Sequence, residues 1–277
     1  MFILVGGEKL EIMLNFLRNH KFRFYLFLIL LLVSGVGVAV FLRFSPTNRN
    51  QEIEEIKTIV GIIAPHHLLV EKQNIISLKK IQRQFPNQPR KIVVLVPNHD
   101  EKGGNKFIIP DNQFYFWQQY ANNLFIASDE TVNSEDSVST WKQIFAHANI
   151  DWQMLPVLVS ARTKIKDLEQ LKTILSKLID QDYLLVVSID FSHYLGQKQA
   201  NINDEITKNL INSFDLEKIL TLNNDYVDSN RLLWLTTTLI KDNSFKLNWV
   251  WHGNSAEFEP NVNDLNTTSY FITEFLR

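Results

Sequence analysis

From position 57 onward, apolar and polar residues alternate between two periods. Short continuous apolar runs, TIVGIIA (58–64), KIVVLVP (91–97), MLPVLVS (154–160) and YLLVVSI (183–189), have the length and β-branched content of strands buried on both faces. Between them the spacing shifts to three and four. It predicts helices near 68–84, near 135–147, with Ser134 as cap and Val138, Trp141, Ile144 and Phe145 on one face, and near 166–180, with Leu168, Leu171, Leu175 and Leu178 in line. KLNWVWH (246–252) and SYFITEF (269–275) read as later strands. Strands alternating with helices imply crossover units, so the expected fold is α/β: a three-layer α/β/α domain with a mainly parallel or mixed sheet over 57–277.

The N-terminal fifth has a different texture. The 19 residues from Phe24 to Leu42 carry no charge, which at 1.5 Å per residue is enough to cross a hydrocarbon core of roughly 30 Å. Residues 24–44 therefore read as one transmembrane helix, longer than the apolar core of a signal peptide. A basic flank, 1–23, precedes it with Lys9, Arg18, Lys21 and Arg23, and Met13 there resembles a second start. A polar linker, 45–56, follows. The cations crowd the N-terminal side of the span, so the expected location is the cell membrane, single-pass, with the domain extracytoplasmic.

Composition narrows the chemistry. A formal net charge of −2 argues against a nucleic-acid partner. With no cysteine, disulfides, thiolate metal sites and cysteine nucleophiles are excluded, and any metal falls to histidine and carboxylate. No GxSxG element is present to suggest a serine hydrolase.

Three of the 7 histidines stand just past the end of an apolar run: His66 after GIIAP, His99 after VVLVPN, and His193 after LLVVSIDFS. Loops at the carboxyl ends of parallel strands surround one crevice, so all three are candidate metal ligands there. Three imidazoles with an oxygen donor suit iron, zinc or manganese. Asp190, three residues before His193, reads either as a turn residue or as a carboxylate that orients an imidazole. His67 cannot share the direction of His66 in an extended segment and is a candidate acid or base. Lys102 and Lys106 flank Gly103 and Gly104 in a loop without phosphate-loop spacing. His147 and His20 look incidental.

Taken in order, IIAPHH (62–67), VVLVPNH (93–99), LPVLVS (155–160), VVSIDFSHY (186–194), HGNSAEFEP (252–260) and TSYF (268–271) resemble the Memo-like family, also called AmmeMemoRadiSam system protein B, which is related in fold to class III extradiol dioxygenases. The resemblance assigns metal ligation to His66, His99 and His193. It also implies a divalent metal, iron first and zinc second, a small-molecule ligand in the strand-end crevice, and a link to a radical-SAM system. Three positions depart from the family. Asp228 stands where many relatives carry cysteine and becomes a fourth candidate ligand. Asp136 replaces a histidine, and His252 replaces a common tyrosine, so both are candidates for proton transfer. Three functions follow as expectations: a non-haem metal-dependent redox enzyme or dioxygenase, a metal-dependent hydrolase, or an inactive metal-, ligand- or partner-binding protein of the same fold.

Overall fold

The computed structural model describes residues 57–86, 90–258 and 266–277. The basic flank 1–23, the transmembrane reading of 24–44 and the linker 45–56 lie outside those residues. Among the described residues no helix is long and apolar enough to cross a membrane.

Among the described residues nine strands form one mixed sheet: β1 (Ile59–Ala64), β2 (Lys91–Pro97), β3 (Phe107–Ile109), β4 (Phe125–Ala127), β5 (Gln153–Val159), β6 (Leu184–Ser188), β7 (His193–Leu195), β8 (Lys246–Asn254) and β9 (Thr267–Leu276). The order is β4-β3-β5-β2-β6-β1-β9-β7, with β8 also on β9. Its centre is parallel, β5 and β6 flanking β2 and β6 also joining β1, while β9 runs antiparallel to β1, β7 and β8. The sheet is thus mixed because the C-terminal hairpin β8–β9 closes one side of a crossover-wound core.

Alternation along the central strands builds two apolar cores. Val93, Leu95, Leu185 and Val187 face one layer, which receives α5 (Ile165–Asp180) and α8 (Asn230–Asp242). Ile92, Val94, Val96 and Val186 face the other, with Leu78 and Ile81 of α1 (Glu71–Gln84) and Val138 and Trp141 of α4 (Asp136–His147). The smaller helices α2 (Phe114–Gln118), α3 (Asp129–Ser134) and α7 (Leu216–Ile219), together with α6 (Gln197–Asn212), complete the domain. One capping expectation changes. Ser134 ends α3, and the cap of α4 is Glu135, whose side chain accepts from the Ser137 N–H.

Candidate metal centre

Register explains why the site forms where it does. Ala64 pairs with Ser188 and Leu95 with Val187, so β1, β6 and β2 end nearly level. Two residues beyond Ala64 comes His66, two beyond Ser188 comes Asp190, and two beyond Pro97 comes His99. The three loops leave adjacent strands and meet over the sheet's carboxyl edge. Asp190 Oδ1 accepts the His66 backbone N–H at 3.2 Å, and Asn74 of α1 holds the Pro65 carbonyl at 2.9 Å, so the His66 loop is fixed from both sides.

A fourth loop brings the carboxylate. Phe191 and Val227 form an isolated antiparallel bridge, next to which Asp228 and Asp190 hold each other. The Asp190 N–H donates to Asp228 Oδ2 (3.1 Å) and the Asp228 N–H donates to the Asp190 carbonyl (3.1 Å). Both carboxylates face His66, each with an oxygen 3.6 Å from its Nε2.

A ring nitrogen of His66, one of His99 and a carboxylate oxygen of Asp228 lie within 4.8 Å of one another. The compact set takes Asp228 as third member where the sequence pattern favoured His193. His193 stands beside it, lining the same cavity, and its Nε2 is buried with no hydrogen-bond partner, as is Asp228 Oδ1. Burying polar atoms without a partner is costly, and two such atoms next to a compact His-His-Asp group form a donor set that suits a hard or borderline cation.

The surroundings hold the rings. His99 Nδ1 lies 2.7 Å from Glu135 Oε1, while the His99 N–H donates to Oε2 at 3.2 Å. His66 Nδ1 lies 3.1 Å from Ser188 Oγ, which accepts from Trp141 Nε1–H at 2.8 Å. His193 Nδ1 is 3.4 Å from Thr268 Oγ1. Carboxylate or hydroxyl contact on one imidazole nitrogen fixes the ring and leaves the other for ligation.

Charge states follow from this packing. Burial pushes His66 and His193 below the ordinary histidine range, so both are neutral near pH 7. The hydrogen bond to Glu135 raises His99. Burial works to raise Glu135, but its bonds with His99 and Ser137 outweigh that and leave it below the usual carboxylate range. Burial, with the Asp190 charge added, lifts Asp228 well above it. A carboxyl that resists ionisation in the metal-free site becomes a strong donor once a cation offsets the charge.

The remaining candidates separate. His67 is exposed on the cavity wall, its Nδ1 capping the short turn at 68–70. Asp136 is also exposed on that wall, and the buried carboxylate against His99 is its neighbour Glu135. His252 is not brought to the site. It stacks on Phe271 with ring centroids 4.3 Å apart and bonds through Nε2 to buried Asp204 at 2.8 Å. Lys102 pairs with Asp100 and reaches Ser134 Oγ at 3.4 Å, and Lys106 donates to the Asn123 carbonyl. His147 pairs with Glu71, away from the cavity.

Glu135, Ser188 and Thr268 escaped sequence reasoning. Only Glu135 left a signal there, as one of two adjacent carboxylates before a helix. The centre opens into a cavity of about 620 Å³ walled on one side by α4. No protein-family model matches the chain, and no curated protein matches it either.

Proposed function

We infer that the domain is a metal-dependent enzyme of the non-haem type, with His66, His99 and Asp228 as ligands and His193 beside them as a further donor. The observation that carries this reading is the compact His-His-Asp group with two buried, unpartnered donor atoms at its margin. Two histidines and one carboxylate with open positions are the ligand set of mononuclear iron(II) oxygenases, and zinc is also compatible with it. The hard carboxylate at 228 disfavours copper(I).

A divalent ion held there supplies Lewis acidity and, where it is iron, one-electron chemistry. The chain supplies the rest. Glu135 keeps the His99 ring oriented, and Ser188, itself held by Trp141, does so for His66. Asp190 accepts the His66 backbone N–H and lies 3.6 Å from its Nε2, so it orients that imidazole and its loop. His67, exposed on the wall, is placed to exchange protons with solvent. The Memo-like resemblance is the ground for a further part of the proposal, a link to a radical-SAM system. The uncharged run and its basic flank are the ground for another, a tether through residues 24–44 with the domain extracytoplasmic, and an outward-facing domain would be separated from cytoplasmic partners of such a system. A hydrolase would use the same ligands with zinc to activate water.

Elemental analysis of the purified full chain tests the centre. About one iron or zinc per chain is expected, with strong loss in His66→Ala and Asp228→Ala variants that keep their circular dichroism. A folded chain that takes up neither ion after anaerobic incubation would sink the reading. Oxygen uptake by the iron-loaded chain, weighed against water-dependent cleavage by the zinc-loaded chain, separates oxygenase from hydrolase.

A further inference from the structure

The cavity above the centre has a one-sided chemistry. Along α4, Asp136, Ser139, Thr140 and Gln143 follow one another at spacings of three, one and three, so they share the helix face that lines the cavity. The opposite face, with Val138, Trp141 and Ile144, is buried in the core. None of the four cavity-facing side chains has a hydrogen-bond or ion-pair partner among the described residues, so a carboxylate, two hydroxyls and an amide are all free to meet a ligand. Lys102 stands at the cavity edge, bonded to the lining residues Asp100 (2.9 Å) and Ser134 (3.4 Å), so its charge is offset by Asp100, whereas Asp136 on the wall has no cationic partner among the described residues.

The rim adds a second, independent feature. Tyr194 lines the cavity with 69% of its surface exposed, and its φ is +57°. It sits where the β7–β9 register shifts between His193 and Leu195. A bulge residue in the left-handed region is ordinarily glycine, and an aromatic residue there is strained. Of the six non-glycine residues at positive φ among the described residues, only Tyr194 lines this cavity. The strain holds an exposed aromatic face at the mouth next to His193, with ring centroids 5.6 Å apart. Strain of this kind concentrates at ligand clamps.

An aromatic face at the rim, a row of free hydroxyl, amide and carboxylate groups on one wall, and no unpaired lysine or arginine among the described residues are complementary to a ring with an apolar face and a hydroxylated edge. We propose that this cavity binds a sugar that carries no acidic group, neutral or amino, stacked against Tyr194 and hydrogen-bonded along α4 through Asp136, Ser139, Thr140 and Gln143. The proposal rests on the metal reading for the reacting floor beneath the ring. Binding itself rests on the wall and the rim.

The test uses the full chain, metal-free and zinc-loaded, with four probes of one ring: methyl glucoside, glucosamine, glucuronate and glucose 6-phosphate, followed by saturation-transfer NMR and calorimetry. In the metal-free chain the two probes without an acidic group are expected to bind and the two anionic ones to bind at least about tenfold more weakly, whereas a bound zinc ion adds its own attraction for the anions. Tyr194→Gly relieves the strained backbone, so its melting temperature is expected to hold or rise while sugar affinity falls about fivefold or more. Gln143→Ala, on an exposed helix face, is expected to weaken binding by a similar factor with zinc content unchanged. Equal or tighter binding of either anionic probe by the metal-free chain overturns the proposal, as does unchanged affinity in both variants or no binding of any probe. Zinc content is measured on the same samples. A chain that holds zinc but binds no sugar refutes this inference alone, and one that binds sugar without taking up metal refutes the metal reading alone.

Discussion

Glu135 is the residue on which the centre's order turns, because it holds both the ring and the backbone N–H of His99. Glu135→Gln keeps the size and one acceptor but removes the charge that raises His99. Changes at such supporting carboxylates commonly cost about 10–100-fold in metal affinity, and that loss is the expected result of a competition titration with a chromogenic chelator. Asp228→Asn should act oppositely on two observables. It abolishes metal uptake, yet it removes a buried carboxylate that burial and Asp190 together make reluctant to ionise. The metal-free variant is therefore expected to melt no lower than the metal-free parent, and a clearly lower melting temperature would mean that Asp228 is needed for folding itself. Much of this site was legible in the sequence, since each strand ends a fixed two residues before His66, Asp190 or His99. The neighbouring pair of carboxylates shows where legibility stops. Glu135 and Asp136 differ by about 100° around a helix start, and only the tertiary approach of His99 selects the buried one.

At the scale of elements, the buried apolar runs β1, β2, β5 and β6 and the helices α1, α4 and α5 were readable because their patterns are long and regular. The three-residue strands β3, β4 and β7 were not, since such segments owe their conformation to the neighbours they pair with. Helix α8 is buried from Leu232 to Ile240 although Thr236, Thr237 and Thr238 lie in that stretch, their hydroxyls donating to carbonyls four residues back, so its burial does not show as an apolar run. α5 is the opposite case and offers a clean separation of fold from site. Leu171 is fully buried on the face of the sheet served by α5, outside the metal centre. Leu171→Ala is expected to cost about 2–5 kcal/mol in chemical denaturation while metal content per folded chain stays at the parent value. A matching loss of metal in the folded fraction would show that the two layers are coupled more tightly than their packing implies.

For the whole molecule, metal, protons and folding are linked through the same four loops. His66 and His193 have folded pKa values below the ordinary value of 6.5, so they bind protons more weakly in the native state than in the unfolded one. Their contribution is fully present above about pH 6.5 and is lost as the pH falls below it toward the folded values. His99 has the reverse sign. Raised by Glu135, it stabilises the metal-free chain below about pH 6.5 and loses that contribution as the pH rises through its folded value. A cation competes with protons at all these nitrogens and at Asp228, so binding tightens as the pH rises. At metal concentrations near 100 times Kd, binding to the native state alone contributes about 2.7 kcal/mol, which for a domain of this size is a rise of roughly 5–10 °C in Tm. The expected outcome of paired melts is a metal-dependent rise of that order at pH 7.5 that shrinks markedly at pH 5.5, at equal free metal, and that vanishes at both in His66→Ala. A rise of equal size at both pH values would mean that the cation binds through groups already deprotonated at pH 5.5. Surface carboxylates would then be its ligands, and the loops at the ends of β1, β2 and β6 would have no part in holding it.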